Sequence, residues 1–146
     1  MIAQTIQLAL APVFVLVAMG NIMNLLSTRL GRVVDRSRFL QERYSATAGA
    51  EHDMVVQEIR LVARRIGLIM RALLLLVLSG IAVAFTVGLL FLEELVAVEL
   101  SRIAAAAFFV AIALLMAALL LFLLETRIAA MALSIPRDFL ELERNL

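Results

Sequence analysis

The sequence predicts an all-α membrane protein with three transmembrane helices, the first two of which extend into the cytoplasm as an antiparallel coiled-coil hairpin. Hydrophobic residues make up 64% of the 146 residues, against about 45–50% in soluble domains. Three apolar stretches are each long enough to cross a hydrocarbon core of about 30 Å, which needs roughly 20 helical residues. Apolar residues at alternating steps of four and three then continue from two of these stretches into arginine-rich sequence, as in a coiled coil.

We predict a single membrane domain over residues 1–146. Its transmembrane spans are residues 8–28, 67–92 and 103–124. The other segments are a helical hairpin at 29–65, a link at 93–102 and a tail at 125–146. The first span lacks the positively charged start of a signal peptide, and basic residues arrive only after it, so we expect it to be retained in the membrane.

The distribution of arginine predicts the orientation of the chain. The hairpin holds eight of the thirteen arginines and the tail holds three, whereas the link holds one beside Glu93, Glu94 and Glu99. Because basic residues stay on the cytoplasmic side, we predict the N-terminus and the acidic link outside, and the hairpin and the C-terminus inside.

The hairpin is predicted from two seams of residues that run into the membrane spans. The seam residues are Leu26, Leu30, Val33, Ser37, Leu40 and Tyr44 on the first helix, and Val55, Ile59, Val62, Ile66, Ile69 and Leu73 on the second. Paired in opposite directions, the two seams centre the turn on Gly49 and Ala50, where glycine and small residues suit a tight connection.

The first and the third helix are both predicted to continue beyond the inner end of their spans. The first passes from lipid to water near Thr28 and continues to about Ser45, a further ~25 Å. The third keeps helical spacing through Ile135, and Pro136 then breaks it ahead of a short amphipathic tail.

Asn21 and Asn24 are the most conspicuous polar side chains of the first span. An amide inside a bilayer needs a partner, so these side chains are expected to face other helices or water. Two interpretations stay open, namely hydrogen bonds between packed helices and a ring of amides that lines the pore of an oligomer.

Gly80, Ala84 and Gly88 form a ridge of small residues at every fourth position of the second span. Such a ridge lets another helix backbone approach closely. We therefore predict a helix-packing face there, either within one chain or between chains.

The arginines of the first two helices are candidates for contact with anionic lipid or with a partner. These residues are Arg29, Arg32, Arg36, Arg65 and Arg71. In the predicted register Arg43 forms an ion pair with Glu58, and Arg36 meets Arg65. Two like charges near the membrane boundary form a binding site for a lipid headgroup or, alternatively, are simply solvated.

No residues converge into a recognisable catalytic or metal site. The chain has no cysteine and a single histidine. Glu51, His52 and Asp53 are consecutive, whereas two ligands on one helical face need a spacing of three or four. We expect no enzymatic activity, no cofactor, no metal and no nucleic-acid partner.

Three runs of the sequence resemble a family of small bacterial membrane proteins known only as a domain of unknown function. They are APVFVLVAMGNIMNLLSTRLGRVVDRSRFLQER, RRIGLIMRALLLLVLSG and FLLETRIAAMAL. The matching positions are Pro12, Phe14, Gly20, Asn24, Arg29, Leu30, Arg32, Asp35, Arg36, Arg65 and Arg71. The resemblance implies a bacterial inner-membrane location and no known activity, and it does not extend to a role for Asn21.

The sequence supports two functional hypotheses. The first is a non-enzymatic membrane protein that acts by helix association, as a homo-oligomer or as a small accessory or scaffold subunit of a larger complex. The second is a homo-oligomeric cation channel with the two asparagines at its inner mouth and the acidic link at its outer mouth.

Overall fold

The computed structural model describes residues 2–96 and 98–132, which form three α-helices. They are α1 (Ile2–Ala46), α2 (Ala50–Val96) and α3 (Ser101–Ala132). Each is long and apolar enough to cross a membrane, so the predicted all-α fold with three such helices is confirmed. The predicted tail after Pro136 lies outside the described residues.

The first helix is continuous across the predicted membrane boundary. It contains 45 residues, which correspond to about 68 Å at 1.5 Å per residue, more than twice the thickness of a hydrocarbon core. The prediction that this helix does not end near Thr28 is therefore confirmed. Pro12 lies inside α1 and is buried.

A three-residue turn joins α1 to α2. Gly49 adopts a φ of 68°, a left-handed conformation that glycine enters without steric penalty. The carbonyl of Gly49 accepts a hydrogen bond from the backbone N–H of Asp53 at 3.2 Å, which starts α2. The turn is centred near Ala48, slightly ahead of the predicted centre between Gly49 and Ala50.

Ion pairs between α1 and α2 differ from the predicted ones because of this earlier turn. Arg43 Nη2 lies 2.8 Å from Glu51 Oε1, and Arg36 Nη2 lies 2.6 Å from Glu58 Oε1. The prediction that Arg43 pairs with Glu58 is wrong, because Glu58 pairs with Arg36 instead. All four paired side chains are about half exposed, so each pair contributes at most about 1 kcal/mol.

Buried side chains recur every seven residues along each helix. They are Thr5, Pro12, Met19, Leu26, Val33 and Leu40 on α1, Val55, Val62, Ile69, Leu76 and Val83 on α2, and Ala104, Ala111, Ala118 and Glu125 on α3. A seven-residue repeat keeps one face of a helix turned toward its neighbour over many turns. Accordingly, α2 packs along both α1 and α3.

Most of the apolar surface of the three helices faces outward. In the most apolar window of each helix, only 17%, 28% and 11% of the residues are buried, for α1, α2 and α3 respectively. Phe14, Phe85 and Phe109 are among the exposed side chains. Apolar surface of this extent is typical of a chain that meets lipid or other protein instead of water.

Ser79 links the helices in the middle of the apolar region. Its side chain is fully buried, and its hydroxyl donates a hydrogen bond of 2.6 Å to the carbonyl of Ala111 on α3. The same oxygen lies 3.8 Å from the Met19 sulfur on α1. Thr86, the other hydroxyl residue of this stretch, donates to the carbonyl of Ala82 on its own helix.

We predict that Ser79→Ala lowers the free energy of unfolding by about 0.6 kcal/mol, the average for hydrogen bonds between membrane helices, and by no more than about 1.7 kcal/mol. Thr86→Val, which removes a hydroxyl bonded within one helix, is the matched control and should change stability by less. Reversible unfolding in mixed detergent micelles measures both. An equal effect of the two substitutions would contradict a bridging role for Ser79.

Candidate functional site

Glu125 of α3 is fully buried and contacts arginines from both other helices. Arg65 of α2 donates from Nε to Glu125 Oε1 at 3.0 Å, and its Nη2 lies 2.9 Å from the same oxygen. Arg29 of α1 places Nη1 3.0 Å from Oε2. One carboxylate therefore holds two guanidinium groups, and with them all three helices.

Neighbouring residues of α3 orient Arg29. Its Nη1 donates a hydrogen bond of 2.9 Å to the Thr126 hydroxyl, which in turn donates to the carbonyl of Phe122 at 2.9 Å. The guanidinium carbon lies 5.1 Å from the centre of the Phe122 ring, within the range of a cation–π contact. Arg29 is thus held by charge, by a hydrogen bond and by an aromatic face.

Glu125 is buried because it continues the seven-residue repeat of α3. Ala104, Ala111 and Ala118 precede it on the same face. These three residues are small and apolar, whereas Glu125 places a charge on the same buried face. It lies next to the end of the predicted span. The carboxylate is compatible with burial because two cations compensate it.

The two carboxylate oxygens are held differently. Oε1 accepts the hydrogen bond from Arg65. Oε2 is buried and has no hydrogen bond within the described residues, although the Arg29 nitrogen lies 3.0 Å away. Attraction between opposite charges, without a well-directed hydrogen bond, therefore holds this second oxygen.

An open cleft of about 470 Å³ lies beside this cluster. Its walls come from all three helices, and they consist of Arg29, Arg32, Val33, Arg36, Glu58, Leu61, Val62, Arg65, Ala129 and Ala132. We call it the arginine cleft. Four of the five arginines proposed from the sequence line it, and Arg71 does not.

The four arginines of the cleft differ in how far they are paired. Arg29 and Arg65 share Glu125, and their side chains stay 28% and 20% exposed. Arg36 pairs with Glu58. Arg32 is exposed, and within the described residues it forms no ion pair.

The two asparagines lie on the outer surface of α1. Asn21 and Asn24 are both exposed, and neither amide side chain has a hydrogen bond to another residue of the described chain. The interior partners of α1 lie on its opposite face, around Met19 and Leu26. Hydrogen bonding between helices of the same chain therefore does not account for these amides.

The ridge of small residues on α2 is only partly used within the chain. A Cβ atom at Gly80 would lie 3.7 Å from Met19 Cε and 3.9 Å from Leu16 Cδ2, so α1 packs against this position. Ala84 is exposed, and a Cβ atom at Gly88 would meet nothing within 4 Å. The part of the ridge formed by Ala84 and Gly88 therefore remains accessible to another helix.

Glu93 and Glu94 lie near the end of α2, which extends beyond the predicted start of the link at residue 93, and they meet Glu99 at the opposite end of the molecule. Glu93, Glu94 and Glu99 line one opening of about 380 Å³. Glu94 also accepts a hydrogen bond of 3.2 Å from the hydroxyl of Thr5, which joins the end of α2 to the start of α1.

The polar residues at the hairpin tip contact neighbouring residues of the same hairpin. Glu51 pairs with Arg43, and the His52 ring packs on Tyr44 with 4.5 Å between the ring centres. No group of three or more candidate metal ligands occurs among residues 2–96 and 98–132.

Sequence reasoning missed Glu125. The sequence predicts no site at residue 125, which it places at the start of the tail at 125–146. The signal that would have located it is the seven-residue spacing from Ala104, which reaches position 125 after three steps. Recognising its partners required the tertiary structure, because Arg29 and Arg65 are distant in sequence.

A family model described as protein of unknown function (DUF2721) matches residues 9–135 of the chain. The matched region includes the whole arginine cleft and both asparagines. No curated protein and no solved structure matches the sequence.

We predict that Glu125→Gln lowers the free energy of unfolding by roughly 3 kcal/mol, because it leaves two partly buried arginines without a counter-charge. Glu58→Gln is the matched control, since it removes an exposed partner and should change stability by less than about 1 kcal/mol. Thermal unfolding in detergent measures both variants. A Glu125→Gln protein as stable as the control would show that the buried carboxylate does not hold the helices together.

Proposed function

This chain belongs to the family of proteins of unknown function DUF2721, and we propose that it is a non-enzymatic integral membrane protein that acts by helix association. In this proposal copies of the chain assemble through the face of α1 that carries Asn21 and Asn24. An accessory or scaffold role in a larger membrane complex would use the same face.

The observation that carries the proposal is the exposure of both amides within the predicted first span. In the hydrocarbon region no water is present to satisfy an amide, and each unsatisfied polar group costs several kcal/mol. Because the described chain supplies no partner for either side chain, the partner is expected to come from another molecule.

A second copy of the same chain suits these amides chemically. Each carboxamide carries two N–H donors and one carbonyl acceptor, so identical asparagines brought together around a symmetry axis can satisfy one another. Most soluble oligomers are symmetric homo-oligomers, and polar side chains commonly join membrane helices. The chain therefore contains all the donors and acceptors that self-association through these amides needs.

An apolar groove beside the amides supports close approach of another helix. It has a volume of about 340 Å³ between α1 and α2, and Gly20, Gly80 and Ala84 are among its lining residues. Gly20 precedes Asn24 by four residues and therefore lies on the same face of α1. Small residues at such a face allow helix backbones to pack closely.

The proposal includes an orientation in the bacterial inner membrane. The N-terminus and the acidic link would lie outside, and the C-terminus would be cytoplasmic. The arginine-rich ends of α1 and α2 would project into the cytoplasm as an antiparallel coiled coil. The excess of arginine at the hairpin end and the seven-residue spacing of buried residues on both helices support this arrangement.

We predict that the double substitution Asn21→Leu with Asn24→Leu converts the oligomer to smaller species, because it removes the hydrogen bonds between copies. Ala113→Leu, at an exposed position of α3, is the control for added apolar bulk and should leave the assembly unchanged. Native mass spectrometry from mild detergent, together with cross-linking in the membrane, measures the stoichiometry. A monomeric wild-type protein would instead favour the accessory-subunit role.

A homo-oligomeric cation channel is the second candidate. The outward direction of Asn21 and Asn24 favours it, because a pore between protomers must be lined by residues on their outer surfaces. Ser79 and Thr86 bond to backbone carbonyls and do not supply further pore lining. Carboxylates of the link would attract cations at the outer mouth.

Planar-bilayer recordings with the purified protein separate the two candidates. Unitary cation currents that Asn24→Leu alters would support the channel. The association proposal predicts stable oligomers without such currents.

A further inference from the structure

We propose that the arginine cleft binds the phosphate headgroup of an anionic membrane lipid. This inference uses the membrane placement given above and is independent of self-association. The cleft opens between the three helices at residues that adjoin the predicted inner ends of the spans, where phosphate groups of the cytoplasmic leaflet lie.

The charge of the cleft favours an anion. Arg29, Arg32, Arg36 and Arg65 line it, and among residues 2–96 and 98–132 the carboxylates that form ion pairs with them are Glu58 and the buried Glu125. The difference of four positive and two negative charges leaves a local excess of two. A phosphodiester with one negative charge reduces this excess without reversing it.

Donor geometry leaves groups available for such a ligand. Within the described residues Arg65 uses Nε and Nη2 on Glu125, and Arg29 uses Nη1 on Glu125 and Thr126. A guanidinium has five N–H donors, so each arginine keeps donors beyond these contacts. Arg32 is committed to no ion pair among residues 2–96 and 98–132.

Glu125 keeps the central arginines in place before any ligand arrives. Long side chains lose rotamer freedom when they are ordered on binding. Arg29 and Arg65 have already lost part of that freedom, because the buried carboxylate fixes both guanidinium groups beside the cleft. Glu125 therefore acts as a positioning residue for the phosphate site.

The remaining walls fit a lipid better than a soluble anion. Leu61, Val62 and Val33 give the cleft an apolar side, and Ala129 and Ala132 leave space next to the end of α3. Beyond the cleft the helices expose apolar side chains that can contact acyl chains. A lipid meets both surfaces at once, whereas free phosphate uses only the arginines.

The test compares two charge-matched double variants in full-length protein. Arg32→Gln with Arg36→Gln removes two cleft arginines and leaves the Glu125 cluster intact. Arg38→Gln with Arg60→Gln removes two exposed arginines of the same hairpin that do not line the cleft. Circular dichroism confirms that each variant is folded as the wild-type protein is.

Native mass spectrometry with phosphatidylglycerol and phosphatidylcholine titrated into the micelles measures lipid binding. We expect wild-type protein to prefer phosphatidylglycerol. We expect the cleft variant to lose roughly tenfold or more of that affinity, because it removes two arginines that can form charge-assisted hydrogen bonds to the phosphate. The control variant should stay within about twofold of wild type.

Three results would overturn the proposal. Equal affinity for the two lipids would remove the charge selectivity, and equal losses in both variants would mean diffuse attraction without a site. Inorganic phosphate that displaces phosphatidylglycerol completely at millimolar concentration would assign the cleft to a soluble ligand. Continued binding of phosphatidylglycerol in the presence of this competitor supports the lipid.

Discussion

The burial of one carboxylate constrains the arrangement of the whole molecule. Glu125 has no exposed surface, and a buried charge is tolerated only when opposite charges and hydrogen bonds compensate it. Arg29 and Arg65 provide that compensation from two different helices. The contact therefore fixes α1, α2 and α3 against one another at the end where α1 and α2 continue beyond the apolar spans.

Polar contacts at three levels accompany an apolar interior. The hydroxyl of Thr5 bonds to Glu94 near the link, Ser79 bonds to α3 in the middle, and the Glu125 cluster lies near the hairpin. Between these levels the buried residues repeat every seven positions, so the apolar contacts alone permit a slip of one repeat with similar burial. Each of these polar contacts requires particular residues to lie at the same level, and together the contacts define the register of the helices.

The buried and the exposed polar side chains differ in whether the chain itself supplies their partners. Inside, Ser79, Thr86 and Glu125 all have partners in the chain. Outside, Asn21, Asn24 and Arg32 have none among the described residues, and each kind matches a different class of partner. In the two proposals above, the amides contact another helix and the arginines bind a lipid headgroup. One fold thus presents two distinct polar surfaces.

The sequence by itself determined the three apolar helices and the continuation of α1 past Thr28, because hydropathy and periodicity are local properties of the chain. Only the tertiary structure decided that Glu125 joins Arg29 and Arg65, that Glu58 pairs with Arg36, and that both asparagines point away from the other helices. Each of these outcomes depends on the turn near Ala48 and on how far neighbouring helices slide and rotate. A repeat of seven residues does not by itself determine the relative position of the helices along their axes, which specific polar contacts determine.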